Sequence, residues 1–183
     1  MDHRQPLLEL LARHRESRRL MVAELSALQR LVDFVNSTPD CFQRSHLAGH
    51  VTGSAWILDH ARERCLLTHH KKLNLWLQPG GHADGDPDIV RVASREAAEE
   101  SGIPDLSLAS AEIFDVDVHA IPESKKEPAH FHYDVRFLFV APPEAEFVVS
   151  EESHQLAWVP RVEVPRYTQD VSTLRLAEKW SFG

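Results

Sequence analysis

The chain reads as an α/β protein. Apolar residues at helical spacing mark its N-terminal segment, two stretches (112–119 and 129–140) alternate apolar and polar residues, and two apolar runs (49–58 and 64–69) bracket a short turn. At 183 residues, with 43% hydrophobic and 26% charged, it has the size and composition of one soluble domain with an appendage.

Residues 1 to about 36 are expected to be helical. Pro6 suits a first helical turn ahead of Leu7, Leu8, Leu10 and Leu11, and Met21, Leu25, Leu28, Val32 and Val35 then form an apolar stripe, expected to cover the domain rather than a second subunit. Asn36-Ser37-Thr38-Pro39 stops that helix. The runs 49–58 and 64–69 predict a hairpin around Asp59-His60-Ala61-Arg62, with His69-His70-Lys71-Lys72 as a polar turn before Trp76. From 112 to 119, Phe114, Val116 and Val118 oppose Asp115, Asp117 and His119. From 129 to 140, Phe131, Tyr133, Val135, Phe137 and Phe139 oppose His130, His132, Asp134 and Arg136. A short strand over 155–159 and a closing helix over 170–180 complete the pattern.

The chemistry concentrates between residues 80 and 103. Gly80-Gly81-His82 leads into a helix carrying Arg95, Glu96, Glu99 and Glu100. Asp86 is the expected N-cap with Pro87 at the first helical position, and Gly102 suits the left-handed residue that ends a helix. With 3.6 residues per turn, Glu96 and Glu100 share one face and Glu99 lies beside them. Carboxylates so close repel one another unless a cation sits between them, and hard divalent ions such as Mg2+ favour such oxygen clusters. A metal-dependent phosphate-transfer or hydrolysis site is the simplest chemical reading.

This segment resembles the signature of the Nudix hydrolases, G-x5-E-x7-R-E-U-x-E-E-x-G-U, where U is bulky and aliphatic. Gly81 opens it and Arg95-Glu96-Ala97-Ala98-Glu99-Glu100-Ser101-Gly102-Ile103 closes it in register. One position departs: Pro87 stands where the signature has its first glutamate, leaving Asp86 and Asp88 as the nearest carboxylates. The resemblance, which covers roughly residues 46–165, implies an α/β/α sandwich with a mixed sheet, assigned to 45–183; the N-terminal helical extension over 1–44 lies outside it. It also implies a Mg2+-dependent hydrolase, with Mn2+ as an alternative ion, that cleaves the pyrophosphate link of a nucleoside diphosphate derivative. Carried over by position, Glu96, Glu99 and Glu100 are the metal ligands with the Gly80 carbonyl, Glu96 also activates water, and Arg95 orients the glutamates. A base from a later loop is common in the family, and Glu151 and Glu152 are the candidates, with Glu123 and Glu127 behind them. A homodimer is also common there.

Twelve histidines are the second distinctive feature. Substrate contact is one reading of His82, His132, Arg136 and Trp76. A second site for Zn2+, Mn2+ or Fe2+ at His119, His130 and His132 is weighed against substrate hydrogen bonding or simple exposure, the more economical readings. Two other functions stay open: a non-catalytic nucleotide sensor on the same fold, which Pro87 favours, and an isopentenyl diphosphate isomerase. The isomerases place a cysteine just before a Gly-His pair, and here that residue is Gly80.

A net charge of −8 argues against a large nucleic-acid face but not against small phosphorylated ligands, because a bound metal reverses the local sign. Two cysteines, Cys41 and Cys65, make no disulfide framework, and Cys65 is expected to be buried. No secretory leader or membrane span is expected, and a reducing cytoplasmic setting is the default.

Overall fold

The sheet is organised around one long parallel pairing. In a computed structural model, which describes residues 2–18, 20–124 and 127–180, strand β1 (Gly49–Leu58) runs beside β7 (His130–Val140) from Gly49↔Phe131 to Leu58↔Val140. Every residue of β1 is buried, as befits a strand covered on both faces. The Asp59 carboxylate accepts the Glu63 and Arg64 N–H groups at 2.8 and 3.2 Å and so closes the turn into β2 (Arg64–His70). Only Leu58↔Cys65 registers β2 on β1; β2 then pairs with β3 (Leu75–Leu77) and β8 (Ser153–Pro160). The edge of β1 that β2 leaves is taken by β4 (Gly80–His82) at Thr52–Ser54. On the other side of β7 lie β5 (Ser107–Leu108) and β6 (Asp115–Ile121).

Helices cover both faces. Helix α3 (Ile89–Ser101) packs its buried Ile89, Val92, Ala93 and Ala97 on β1, where a Cβ at Gly53 would lie 3.0 Å from the Ala93 nitrogen. Helices α1 (Gln5–Arg15) and α2 (Leu25–Ser37) join the same core, and the Phe34 ring stacks on Tyr133 at 3.9 Å. A short helix α4 (Val164–Tyr167) and α5 (Val171–Lys179) cover a second cluster containing Trp56, Leu67, Phe114, Val159 and Leu176. The expected α/β/α sandwich with a mixed sheet and an N-terminal helical segment is therefore present. Among the described residues no helix is long and apolar enough to cross a membrane.

Several expected boundaries move. The N-cap of α3 is Asp88, whose side chain accepts the Arg91 N–H at 3.1 Å, so the helix starts after Pro87 rather than at it. Asp86 instead binds the Arg91 guanidinium, at 2.7 Å to Nε. Gly102 does end the helix in the left-handed conformation, with φ of 64°. His69 and His70 belong to β2, because both pair across to β3 and β8, so the turn begins at Lys71. The buried positions of α2 are Leu28, Leu31, Phe34 and Val35, while Leu25 is exposed: the stripe lies on the domain, centred one turn later than expected. Cys65 is fully buried, and burial pushes its thiol up to about 12.

A buried ionic network ties both ends of the chain to the sheet. Glu24 accepts from the Met21 N–H at 2.7 Å and from Lys179 Nζ at 2.6 Å, and meets His14 Nε2 at 3.1 Å. Lys179 also reaches Asp115, which binds Arg175 at 2.8 Å and Arg136 at 3.1 Å; Arg136 continues to Asp134 at 2.7 Å. Burial alone would raise the Glu24 carboxyl, but the His14 contact and the Lys179 charge hold it at about 2. Removing one partner from a buried ion pair costs about 3–5 kcal/mol, because the other charge is stranded. Glu24→Ala is therefore expected to lower urea-unfolding stability by about that amount. A loss within the ~1 kcal/mol typical of a surface pair would contradict this account.

Candidate active site

Strands β1, β4, β6 and β7 and helix α3 enclose a cleft of about 360 Å3, toward the smaller end of ligand-binding cavities. Its wall is set by the close approach of α3 to β4. A Cβ at Gly80 would collide with the side chain and Cα of Ser54 on β1, so glycine is required there, and one at Gly81 would displace the Glu96 carboxylate. The Gly80 N–H donates to Glu100 Oε2 at 2.9 Å. Arg95 donates to the His82 carbonyl at 2.8 Å and lies 2.7 Å from Glu96 and 3.3 Å from Glu99. Arg95 is thus the clip between helix and strand as well as the counter-charge of two glutamates.

Gly80, His82, Arg95, Glu96, Glu99, Glu100, His132 and Glu152 all line the cleft. Glu99 is the most open of the three helix carboxylates, with its side chain 60% exposed against 12% for Glu96. Three sequence candidates lie elsewhere. Arg136 is buried, and Asp134, Asp115 and Asp117 surround its guanidinium, so it serves the ionic network rather than the cleft. Trp76 stacks on His69 at 5.0 Å and meets Tyr167 edge-on, outside the cleft wall. Glu151 is exposed and does not line the cleft; its backbone carbonyl accepts Lys71 Nζ at 2.7 Å. Neither Asp86 nor Asp88 lines the cleft: the Asp86 carboxylate binds Arg91 and that of Asp88 caps the helix.

Other cleft features were missed in the sequence. Thr52 and Ser54 each donate to Asp134 Oδ1 at 2.8 Å and form part of the wall. Arg44 was missed as well; it pairs at the cleft margin, 2.9 Å from Nε, with Glu127, one of the reserve candidates for the base. His50 is buried beside His82, His130 and His132. The signal for His50, Thr52 and Ser54 was available: they alternate through β1 with the period-2 pattern that marks His130, His132 and Asp134 in β7.

The electrostatics favour a cation. Burial raises the Glu96 carboxyl, and repulsion from Glu99 and Glu152 adds to this against the pull of Arg95. Burial pushes Glu100 up to about 7; repulsion from Glu96 and Glu152 works in the same direction, opposed by the Gly80 N–H. A carboxyl raised on folding binds its proton more tightly in the folded than in the unfolded chain, so stability is lost as pH climbs from about 4.5 to about 7. The lowered His50, His82 and His132 act oppositely, being harder to protonate when folded. The difference between wild type and Glu100→Gln isolates the carboxyl. In chelator, wild type is expected to lose roughly 3 kcal/mol relative to the variant across that window, at about 1.36 kcal/mol per pKa unit. Parallel pH–stability curves would contradict the assignment.

Comparisons with known proteins agree with this arrangement. A family model described as the NUDIX domain matches residues 49–178. A search of curated proteins found no match. Among solved structures, a C. elegans Ap4A hydrolase in a binary complex is similar with a TM-score of 0.59 and 19% identity, over 72% of this chain and 95% of that one. A Nudix hydrolase from M. Smegmatis matches with a TM-score of 0.53 and 17% identity, over 73% and 85% of the two chains. A NUDIX-family hydrolase from Clostridium perfringens matches with a TM-score of 0.51 and 21% identity, over 73% and 97%. With a family match across most of its length and the glycine-clipped glutamate helix in place, the chain belongs to the NUDIX hydrolase family.

Proposed function

We propose that this chain is a Mg2+-dependent pyrophosphohydrolase that cleaves the pyrophosphate link of a small nucleoside diphosphate derivative, with Mn2+ able to replace Mg2+. The observation that carries this reading is the crowding of Glu96 and Glu100, both withdrawn from water and raised in proton affinity, with Glu99 and Glu152 on the same cleft. These donors fit a hard divalent ion, which takes oxygen ligands and keeps part of its coordination for water and phosphate. Bound there, such an ion would neutralise phosphate charge and lower the pKa of its water.

Within that reading Glu96, Glu99 and Glu100 would hold the metal together with the Gly80 carbonyl. Arg95 keeps Glu96 turned toward the cleft while anchoring β4 through the His82 carbonyl. Glu96 takes the proton of the attacking water, or Glu152 does so from the opposite loop; Glu152 is favoured over Glu151 because it lines the cleft. His82 and His132, which line the cleft, are the candidates for contact with substrate oxygens. The names of two fold neighbours, an Ap4A hydrolase and an E. coli dihydroneopterin triphosphate pyrophosphohydrolase, accord with a small phosphorylated substrate. The acidic net charge and the modest cleft speak against a long nucleic acid.

Phosphate release from nucleotide sugars, dinucleoside polyphosphates and nucleoside triphosphates in Mg2+ tests the proposal. Glu96→Gln and Glu100→Gln are each expected to lower kcat by about 100-fold or more on the best substrate, the scale of single electrostatic groups in active sites. Loss of only a few-fold would contradict the roles assigned. Ligand binding without turnover of any compound would favour a nucleotide sensor.

A further inference from the structure

Five imidazoles gather where β1, β4, β6 and β7 meet. His50, His82, His119, His130 and His132 lie with neighbouring ring centroids between 4.9 and 5.5 Å apart. We propose that three of them, His50, His130 and His132, form a binding site for a transition-metal ion of the Zn2+ class, separate from the carboxylate site on α3.

Geometry is the first support. One ring nitrogen from each of the three lies within 4.8 Å of the others. His130 Nε2 and His132 Nε2 are 3.3 Å apart. Nitrogens about 2.0–2.1 Å from a tetrahedral zinc are separated by about 3.3–3.4 Å, so this pair already has the spacing of one edge of such a site.

Hydrogen bonding is the second. His130 Nδ1 lies 2.8 Å from the Pro128 carbonyl. A carbonyl only accepts, so Nδ1 carries the proton and Nε2 keeps its lone pair toward His132. Zinc-binding histidines have this habit of donating the far N–H to an outer oxygen, which fixes the tautomer.

His50 is the third and most telling. It is 2% exposed, and neither ring nitrogen has a hydrogen-bond partner among the described residues. Buried polar side-chain atoms with no partner are uncommon and call for an explanation. Its ring stands 5.1 Å from His130 and 4.9 Å from His132, so a cation shared by the three would engage one of its orphan nitrogens. Neutral imidazoles prefer zinc and its neighbours, whereas hard carboxylates suit Mg2+; the two sites differ in ligand chemistry. His130 and His132 line the cleft, so the fourth position of the ion faces it, open to water or an anionic oxygen. This inference does not depend on the proposed hydrolysis.

The test is uptake of Zn2+ and Co2+ by the full chain after chelation, read by calorimetry, with X-ray absorption of the loaded protein. One Zn2+ per chain is expected, with three nitrogen neighbours at about 2.0–2.1 Å. Uptake should be unchanged in Glu96→Gln/Glu100→Gln. His50→Gln and His130→Gln should each weaken it by more than about 100-fold, beyond what losing an outer-shell partner costs. No uptake, an oxygen-only shell, or binding unaffected by both histidine variants would overturn the proposal. Thermal melts of the metal-free variants show whether each folds; if either fails, the absorption spectrum of wild type still decides between nitrogen-rich and oxygen-only coordination.

Discussion

Everything at the site depends on how near helix α3 comes to the glycine pair of β4. A Cβ at Gly81 would fall on the Glu96 carboxylate of α3 and one at Gly80 on Ser54 of β1, so the glycine pair lets β4 lie close to both neighbours. At the observed distance the Gly80 N–H reaches Glu100 and the His82 carbonyl reaches Arg95. The consequence is electrostatic. Glu96 and Glu100 lose much of their water and repel each other and Glu152, while the one nearby guanidinium, Arg95, pairs with Glu96 and Glu99. Uncompensated buried charge either takes up a proton or attracts a cation. The close approach thereby turns a common sequence of glutamates into a group whose buried carboxyls hold their protons more tightly than usual.

A second constraint keeps the opposite wall of the cleft in register. The buried ionic chain from Glu24 through Lys179, Asp115 and Arg136 ends at Asp134, which also receives the Thr52 and Ser54 hydroxyls. Ser54 in turn lies against Gly80. The segment before β1 and the helix after β8 are thus joined to the floor of the site by direct polar contacts. A one-residue slip of β6 or β7 would turn Asp115 and Arg136 away from each other, leaving buried charges without partners.

The sequence carried the long elements and the glutamate helix clearly, because their periodicity extends over many residues. It did not carry β3, β4 and β5, which are two or three residues long and exist only through their partners. It also marked His130, His132, Asp134 and Arg136 as one polar face without saying where that face goes. The register of β6 decides: His132 lies opposite His119 at the cleft, whereas Arg136 lies opposite Asp115 in the ionic network. Asp86 looked like a cap because it precedes proline, yet its carboxylate is taken by Arg91 and Asp88 caps instead. Such outcomes depend on contacts between residues far apart in the chain or on side-chain reach, neither of which local pattern encodes.

The central claim is that the α3 carboxylates converge on a divalent ion, and anomalous scattering from Mn2+ in crystals grown with a non-hydrolysable nucleotide analogue tests it most directly. The account predicts a peak between Glu96 and Glu100 in contact with the analogue's phosphates. Bound analogue with no manganese peak at those side chains would contradict it.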